Sequence, residues 1–398
     1  MKKSRLHIPD ILFVCAVLLF LFGAMAFTVM SMDESYSFYE NRNLAEIPAF
    51  TVSGMLDGSW FSDVETSLQD HAAGRNVALK IKTWLDLRVF RRPVVNEVVI
   101  AEDDLLLPWN AYEYPCDTAW IEEKADTVAA NLKSHAEVTR SYGGYFLYAA
   151  IPCQYVCYED AYPDYLNNRA DYTEKSGEAL FARLTEMDVP YLDMLAVYKE
   201  QGILRSSSSL VDNHYSISGA FAAYRAAVEK WNADTGSDYP IPDASSYETT
   251  ALPNPYLGSR TRKLCGLWTS GEKLHIMTPK ENIPFRRYEN GEEIAGTVYA
   301  LPADDTSDVL YSLYMGGDNR ETRIETDREN LPDILIYGDS FTNAMESVAW
   351  VGFDTMYTYD FRHYGEKTVE ELILEYKPDI VICVRDYEAL LLETGNGA

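Results

Sequence analysis

Apolar and polar positions form blocks along the chain that alternate between a helical and an extended pattern. Apolar residues that recur every three or four positions predict helices at about 76–90, 119–141, 174–187 and 219–231. Continuous apolar runs predict buried strands at 145–151, 190–192, 334–337 and 380–384. Because strands that alternate with helices build parallel sheets, we expect an α/β fold in which helices flank a parallel sheet.

Two helices carry signals for where they start. Ser218 is a candidate N-cap for the helix near 219–231, since a serine oxygen accepts a hydrogen bond from a free backbone N–H of the first turn. Thr368 and Glu371 have the spacing of a capping box and predict the start of a last helix. That helix should end at Lys377-Pro378. One face of the helix near 219–231 carries Phe221, Tyr224, Val228 and Trp231.

The α/β pattern breaks between about 235 and 326. This stretch is rich in Pro, Gly, Asn, Ser and Thr, with short possible strands at Leu274–Met277 and Gly296–Leu301. We expect an insertion that is partly β, not a separate domain. The predicted organisation is a cytoplasmic tip and membrane anchor at 1–32, a stem with N-terminal helices at 33–95, and a main domain at 96–398 that contains the insertion.

The N-terminal segment predicts a membrane anchor. An uncharged apolar stretch from Ile11 to Met30 is long enough to cross the hydrocarbon core of a bilayer. Lys2, Lys3 and Arg5 precede it and Asp33-Glu34 follows, which predicts a single-pass chain with its N-terminus in the cytoplasm and its bulk outside. A cleaved signal peptide is the alternative, because Ala24-Met25-Ala26 offers a small-residue cleavage site.

Charge and cysteine content exclude some classes of function. The formal net charge of −28 argues against nucleic acid as a partner, since phosphate binding needs a positive field. The six cysteines are scattered and none has zinc-site spacing, so we expect neither a metal nor another cofactor. Cys153 and Cys157 could form a disulfide only if the loop between them bends suitably.

Two short motifs carry candidate chemistry. Ser340 lies in Gly-Asp-Ser-Phe directly after the predicted strand at 334–337, the end of a strand where α/β sheets place their active sites. Asp212 and His214 lie two residues apart in Asp-Asn-His-Tyr, so on an extended segment their side chains share one face. A serine becomes a nucleophile when an imidazole takes its proton and a carboxylate orients that imidazole. Together the motifs suggest a Ser-His-Asp centre for acyl transfer.

These residues resemble a known family. The segment 212–215, followed by Gly219, Ala220 and Tyr224, is similar to the Asp-His-His-Trp signature of DHHW-family proteins and the related alginate O-acetylation proteins, AlgJ and AlgX. The segment 338–341 resembles the serine block of SGNH hydrolases. The resemblance also includes the membrane segment, the Asn-Arg-Asn-Leu at 41–44, and the series Asp70, His71 and Arg75.

The chain departs from the family signature at two positions. Asn213 stands where DHHW proteins usually have His, and Tyr215 stands where the family usually has Trp. Tyr215 keeps an aromatic side chain, so the change is expected to affect substrate fit and not the chemistry. The Asp-x-His motif precedes the serine, as in the permuted alginate-type proteins and unlike ordinary SGNH hydrolases, which favours the O-acetyltransferase branch.

The resemblance implies a role for each residue. Ser340 would carry the acetyl group as an ester, His214 would act as general base and then acid, and Asp212 would orient His214. The Ser340 N–H would form part of the oxyanion hole. Candidates for a second oxyanion donor or a substrate contact are Gly317, Asn319, Tyr215, Arg362 and Arg385.

The leading hypothesis is a membrane-anchored O-acetyltransferase that acts outside the cytoplasm on hydroxyls of a cell-surface or secreted polysaccharide. The resemblance implies a multi-pass membrane acyltransferase as the partner that supplies acetyl groups. Two alternatives stay open: an SGNH-type carbohydrate esterase with the same triad, and a non-catalytic glycan-binding subunit of an acetylation complex. The sequence alone does not separate transfer from hydrolysis, because the difference lies in how well the cleft excludes water.

Overall fold

The computed structural model describes residues 8–30, 32, 34–40, 42–110 and 116–397. The chain divides into two compact units, residues 1–96 with 261–269 and residues 97–260 with 270–398. Several residues used in the sequence analysis lie outside the described residues: Lys2, Lys3, Arg5, Asp33 and Asn41.

The first unit is mainly helical. Its helices are α1 (Ile8–Met30), α2 (Val52–Asp57), α3 (Ser59–Asp70) and α4 (Arg75–Trp84), and α4 continues into a π-helical turn at Leu85–Val89. Its strands are β1 (Tyr36–Ser37), β2 (Arg42–Asn43) and β3 (Val94–Val95). In α1, residues Ile8–Thr28 are long and apolar enough to cross a membrane, with a mean hydropathy of 2.7. The helix predicted at 76–90 therefore corresponds to α4 and the π turn.

The two stem motifs meet in the first unit. Both guanidinium NH₂ groups of Arg42 donate to the Asp70 carboxylate, at 2.8 and 2.5 Å, and the Ala45 N–H donates to the same carboxylate at 2.9 Å. Arg75 pairs with Glu40 at 2.5 Å. Both ring nitrogens of the buried His71 face backbone carbonyl oxygens. These motif residues hold the stem together.

The second unit contains the remaining strands and helices. Its strands are β4 (Val98–Ile100), β5 (Leu106–Pro108), β6 (Tyr145–Ile151), β7 (Tyr191–Asp193), β8 (Tyr247–Ala251), β9 (His275–Pro279), β10 (Arg286–Glu289), β11 (Glu292–Ile294), β12 (Glu321–Glu325), β13 (Ile334–Gly338), β14 (Thr355–Tyr359) and β15 (Ile380–Asp386). Its helices are α5 (Thr118–Arg140), α6 (Gln154–Cys157), α7 (Ala170–Glu186), α8 (Met194–Glu200), α9 (Ile217–Thr235), α10 (Ser259–Lys263, at its border), α11 (Phe341–Ala349) and α12 (Val369–Tyr376). Short 3₁₀ turns lie at Glu159–Ala161, Ala244–Ser246, Tyr311–Leu313 and Trp350–Gly352.

A mostly parallel sheet of eight strands forms the centre of the second unit. Its strand order is β11-β10-β12-β14-β13-β15-β6-β7. The strands from β14 to β7 are parallel, and β12, β10 and β11 add antiparallel pairs at one side. In the register, Ile334 of β13 lies beside Ile380 of β15, and Ile380 lies beside Tyr145 of β6. The carboxyl ends of β13, β15 and β6 therefore lie along one edge of the sheet.

Helices flank this sheet. α5 packs on β6, α7 and α12, while α9 and α11 pack on each other, with α9 against β6 and α11 against β13 and β15. The strands β6, β13 and β15 are buried almost throughout, as expected for parallel strands covered by helices. The predicted fold class is therefore confirmed.

Two local predictions need correction. The N-cap of α9 is Ser216, whose Oγ accepts from the Gly219 N–H, because the helix already begins at the buried Ile217. No strand forms over Gly296–Leu301, since the Thr297 hydroxyl bonds the backbone of Tyr299 and bends the segment. The stretch predicted as a partly β insertion contains β10 to β12, which extend the central sheet.

Candidate active site

The turn after β13 places Ser340 at the N-terminus of α11. Ser340 is the N-cap residue of this nine-residue helix. The motif needs glycine at Gly338, because a Cβ there would lie 1.9 Å from the carbonyl oxygen of Val384 on the neighbouring strand β15. Close contact between β13 and β15 thus fixes where the serine turn begins.

Asp339 holds this turn in shape. One carboxylate oxygen accepts from the Phe341 N–H at 2.9 Å, and the other forms an ion pair with Arg385 at 3.0 Å. The second oxygen also accepts from the Asp386 N–H at 3.4 Å. Arg385 is 1% exposed, so this ion pair is fully buried. The pair ties the serine turn to the end of β15.

A second segment supports the Asp212 loop. The Ser259 N–H donates to Asp212 Oδ2 at 2.6 Å, and the Arg260 N–H donates to the carbonyl of Val211 at 3.0 Å. Gly258 allows this close approach, since a Cβ on it would lie 2.3 Å from the Val211 carbonyl oxygen. The backbone of Gly258 and Ser259 therefore positions the Asp212 carboxylate.

The side chains of Asp212, His214 and Ser340 form a continuous series of hydrogen bonds. His214 Nδ1 lies 2.6 Å from Asp212 Oδ1, and His214 Nε2 lies 2.8 Å from Ser340 Oγ. Asp212 is buried, while the His214 side chain is 12% exposed. With Nδ1–H donating to the carboxylate, Nε2 is free to accept the proton of Ser340. This arrangement can generate a serine nucleophile.

The electrostatics of Asp212 keep it ionised. Burial by itself would raise the pKa of Asp212, but the hydrogen bond from His214, the charge that this imidazole carries when it is protonated, and the Ser259 N–H outweigh burial and lower that pKa. A carboxylate that stays charged can orient His214 and stabilise the imidazolium that forms when Ser340 loses its proton.

A half-buried acidic side chain lies next to this loop. Glu272 accepts hydrogen bonds from Ser209 Oγ at 2.9 Å and from the Leu210 N–H at 3.0 Å. Ser209 Oγ in turn accepts from the Asp212 N–H at 3.0 Å. Burial is the main cause that raises the pKa of Glu272 to about 7. Glu272 therefore supports the Asp212 loop through Ser209.

Aromatic rings enclose the imidazole. The Tyr311 ring stacks on His214 with the ring centroids 3.6 Å apart, and Phe341 lies at 5.0 Å in a tilted arrangement. Tyr215 is 2% exposed, and its hydroxyl donates to the carbonyl of Phe341. In this geometry Tyr215 contacts the first residue of α11, and Tyr311 covers one face of the His214 imidazole.

The loop with the candidate oxyanion donors lies beside α11. Asp318, between Gly317 and Asn319, accepts a hydrogen bond from Asn343 Nδ2 at 2.8 Å, and Asn343 lies in the first turn after Ser340. The Gly317 N–H donates to the Tyr314 carbonyl, and the side-chain amide of Asn319 donates to the Met315 carbonyl at 2.9 Å. Both donors are therefore used within the loop. A role for Gly317 or Asn319 in oxyanion binding stays a prediction.

Arg362 joins the same loop to the segment after β14. Its guanidinium donates to Asp318 at 3.0 Å and to Asp360 at 2.6 Å. Asp318, Asp360 and His363 are close enough to share a metal ion, but Arg362 already forms ion pairs with both carboxylates. Substrate contacts for Arg362, Arg385 and Tyr215 stay predictions, and this geometry gives Arg385 and Tyr215 buried structural contacts.

Three further histidines of the described chain contact groups other than Asp212 and Ser340. His135 is buried and bonds the Tyr337 hydroxyl at 2.7 Å, His275 bonds the Lys273 carbonyl, and His363 is exposed beside Asp360. Cys153 and Cys157 are both buried free thiols.

Sequence reasoning did not find Ser259, Tyr311 or Glu272. All three contact Asp212, His214 or the loop that carries them, but they come from the stretch at 235–326, where the residue pattern has no clear period. Gly258 next to Ser259 was the only local signal, and glycine is common in turns and loops of every kind.

Comparison with known proteins supports the fold. No protein-family model and no curated protein matches the chain. Bacillus cereus PatB1, in a structure with a sulfonyl adduct, superposes with a TM-score of 0.58 at 18% identity, over 74% of this chain and 97% of PatB1. A DHHW family protein from Eubacterium siraeum has a TM-score of 0.58 at 17% identity, over 76% of this chain and 95% of the other. The O-acetyltransferase domain of Pseudomonas putida AlgJ has a TM-score of 0.47 at 15% identity, over 75% and 93%.

The fold is therefore an α/β fold with a mostly parallel sheet that helices flank. The chain shares this fold with PatB1 and with a DHHW family protein. The resemblance predicted from the motifs at 212–215 and 338–341 is confirmed at the level of the fold.

Proposed function

We propose that this chain is an O-acyltransferase that places acetyl groups on hydroxyls of a polysaccharide through an ester on Ser340. The observation that carries the proposal is the hydrogen-bonded series from Asp212 through His214 to Ser340, at the carboxyl end of the parallel sheet. The chain order, with Asp-x-His before the serine, supports the transferase branch of the resemblance over ordinary SGNH hydrolases.

In the first half-reaction, Ser340 Oγ attacks the carbonyl carbon of the acetyl donor while His214 Nε2 takes the Ser340 proton. The donor carbonyl becomes an oxyanion next to the N-terminus of α11. The hydrogen bonds of the described residues leave the Ser340 N–H without an acceptor, so it is free to bind this oxyanion. The imidazolium then protonates the leaving group, and the acetyl ester on Ser340 remains.

In the second half-reaction, the acceptor hydroxyl replaces the donor. His214 removes the proton of a sugar hydroxyl, whose oxygen attacks the ester carbonyl. The bond between Ser340 Oγ and the acetyl group breaks, and His214 returns the proton to Ser340. Hydrolysis would follow the same path with water as the acceptor, so transfer requires that the sugar excludes water from the ester.

We propose that α1 anchors this activity in the membrane, with the second unit outside the cytoplasm. Residues Ile8–Thr28 form the one helix of the described chain that is long and apolar enough to span a bilayer. A single helix offers no path for an acetyl group, so a multi-pass membrane acyltransferase would supply the donor. The acidic net charge of −28 suits a polysaccharide acceptor better than a nucleic acid.

Acceptor analysis with an activated acetyl ester tests this function. The full chain in detergent is incubated with the ester and a panel of polysaccharide fragments, and glycan-bound acetyl and free acetate are measured separately. We expect glycan-bound acetyl from the wild type, none from Ser340→Ala, and wild-type yield from the surface variant Ser206→Ala. If only free acetate were released, at the same rate with and without glycan, the chain would be a hydrolase and not a transferase.

A further inference from the structure

The helix α4 exposes its apolar side to solvent. Val77, Ile81 and Trp84 are 63%, 56% and 48% exposed, and their i, i+4, i+7 spacing places them on one face. Thr83, on another face of the same helix, is fully buried. A surface helix of a soluble domain normally turns its apolar side toward the core, so α4 has the reverse orientation.

The exposed apolar surface is concentrated in the first unit. Outside α1, fourteen of the twenty exposed large apolar side chains among the described residues lie between positions 36 and 90. The π-helical turn after α4 continues the surface, because Val89 and Phe90 are also exposed. A concentration of exposed apolar side chains of this kind indicates contact with a membrane or a partner.

The same segment is basic in a strongly acidic protein. Residues 75–92 contain six Lys or Arg residues and one acidic residue, Asp86, whereas the whole chain has a formal net charge of −28. Among the described residues, Lys80 and Arg91 have no carboxylate within 4.0 Å. A basic amphipathic helix with aromatic side chains is the pattern of a segment that lies on a membrane surface.

One hydrogen bond joins the segment just before α4 to the C-terminal part of α1. The Ala73 N–H, two residues before α4, donates to Thr28 Oγ1 at 3.0 Å. Thr28 is the last residue of the candidate span Ile8–Thr28. A helix that begins beside this residue begins at the level where the bilayer meets water.

We infer that residues 75–92 form a juxtamembrane site for anionic phospholipid. Val77, Ile81 and Trp84 enter the boundary between headgroups and acyl chains, and Lys80 and Arg91 bind the phosphate-bearing headgroups. The site holds the first unit flat on the membrane surface in addition to the α1 anchor. It concerns membrane contact and does not depend on the chemistry at Ser340.

Fluorescence quenching by brominated lipid tests the site in the full chain. The chain is reconstituted into vesicles of phosphatidylcholine alone and of phosphatidylcholine with an equal amount of phosphatidylglycerol, with and without bromine near the acyl carbonyl. The signal of Trp84 is the difference between the wild type and Trp84→Phe. Trp109→Phe is the matched control, because Trp109 is exposed in the second unit.

We expect bromine to reduce the Trp84 signal by about half or more in the anionic vesicles and less in phosphatidylcholine alone. Lys80→Glu with Arg91→Glu should reduce quenching of the Trp84 signal in the anionic vesicles to the level seen in phosphatidylcholine, and should leave the Trp109 signal as it is in the wild type. A Trp84 signal that bromine leaves unchanged would overturn the inference and indicate a protein partner for this face. Equal quenching in both lipids would overturn the preference for anionic headgroups.

Discussion

The ring of Tyr311 lies flat on the imidazole of His214, with 3.6 Å between the ring centroids and 3° between the ring planes. Tyr311 belongs to a 3₁₀ turn that is 97 positions from His214 in the chain, so only the fold brings the two rings together. The ring covers one face of the proposed general base and limits its rotation. We therefore treat Tyr311 as a positioning residue.

Removal of this ring should lower turnover without loss of substrate binding. For Tyr311→Leu we expect kcat to fall about fivefold, which corresponds to about 1 kcal/mol of aromatic stacking, with KM unchanged. Tyr311→Phe keeps the stacked ring and should retain wild-type kcat. Steady-state kinetics with an activated acetyl ester measures both variants. Equal loss of kcat in Phe and Leu variants would show that the stacked ring does not position His214.

The close approach of Gly258 to Val211 should be essential for the Asp212 loop. In Gly258→Ala the new Cβ would clash with the Val211 carbonyl oxygen at 2.3 Å and displace the Ser259 N–H from Asp212. We expect a loss of about 1–3 kcal/mol in the free energy of unfolding and a lower kcat. Urea unfolding and kinetics test this variant beside Gly271→Ala, whose Cβ meets open space. Similar behaviour of the two variants would contradict the proposed role of Gly258.

The raised pKa of Glu272 should make stability depend on pH. Its pKa of about 7 in the folded protein, compared with an ordinary value of 4.5, means that folding favours the protonated carboxyl. This contribution is fully present below about pH 4.5 and is lost as the pH rises through about 7. Glu346 and Asp386 have raised pKa values for the same reason, burial, and are unchanged in the test variant.

Glu272→Gln removes this one titrating group. Between about pH 4.5 and pH 8, the wild type should lose up to about 3 kcal/mol more unfolding free energy than Glu272→Gln. Urea unfolding at a series of pH values measures the difference, with Glu293→Gln as a surface control. Parallel pH profiles for the wild type and Glu272→Gln would show that Glu272 has an ordinary pKa.

A variant that breaks the buried ion pair between Asp339 and Arg385 tests whether Arg385 has a structural role or binds the substrate. Arg385→Met would leave the Asp339 carboxylate buried without its partner, and we expect a loss of about 3–5 kcal/mol in unfolding free energy. The double variant with Asp339→Asn should recover part of that loss. If Arg385→Met instead kept full stability and only raised KM, Arg385 would be a substrate contact, as its place after a predicted strand suggested.

The sequence predicted the three residues of the proposed triad, but not the residues that hold them in place. Ser340 was identified because an apolar run and a Gly-Asp-Ser turn are local signals, and Asp212 and His214 because their spacing is local. Ser259 contributes a backbone N–H, which no side-chain pattern reveals. Tyr311 and Glu272 act through contacts with residues far along the chain, in a stretch with no periodicity.

The same limit applies to the first unit. The stripe of Val77, Ile81 and Trp84 predicted a helix correctly, since helical spacing depends only on neighbouring residues. Periodicity gives the side of a helix that is apolar but not what that side contacts. Only the exposed fractions of these side chains in the structure showed that the apolar side of α4 faces solvent.

The central claim is that Ser340 carries the acetyl group as an ester. Intact-mass spectrometry of the full chain after brief exposure to an activated acetyl ester tests it most directly, beside Ser340→Ala, His214→Ala and Ser206→Ala. We expect an added mass of one acetyl group in the wild type and in Ser206→Ala, none in Ser340→Ala, and much slower addition in His214→Ala. An adduct that forms in Ser340→Ala at the wild-type rate, or ester turnover that persists in that variant, would show that Ser340 is not the residue that carries the acetyl group.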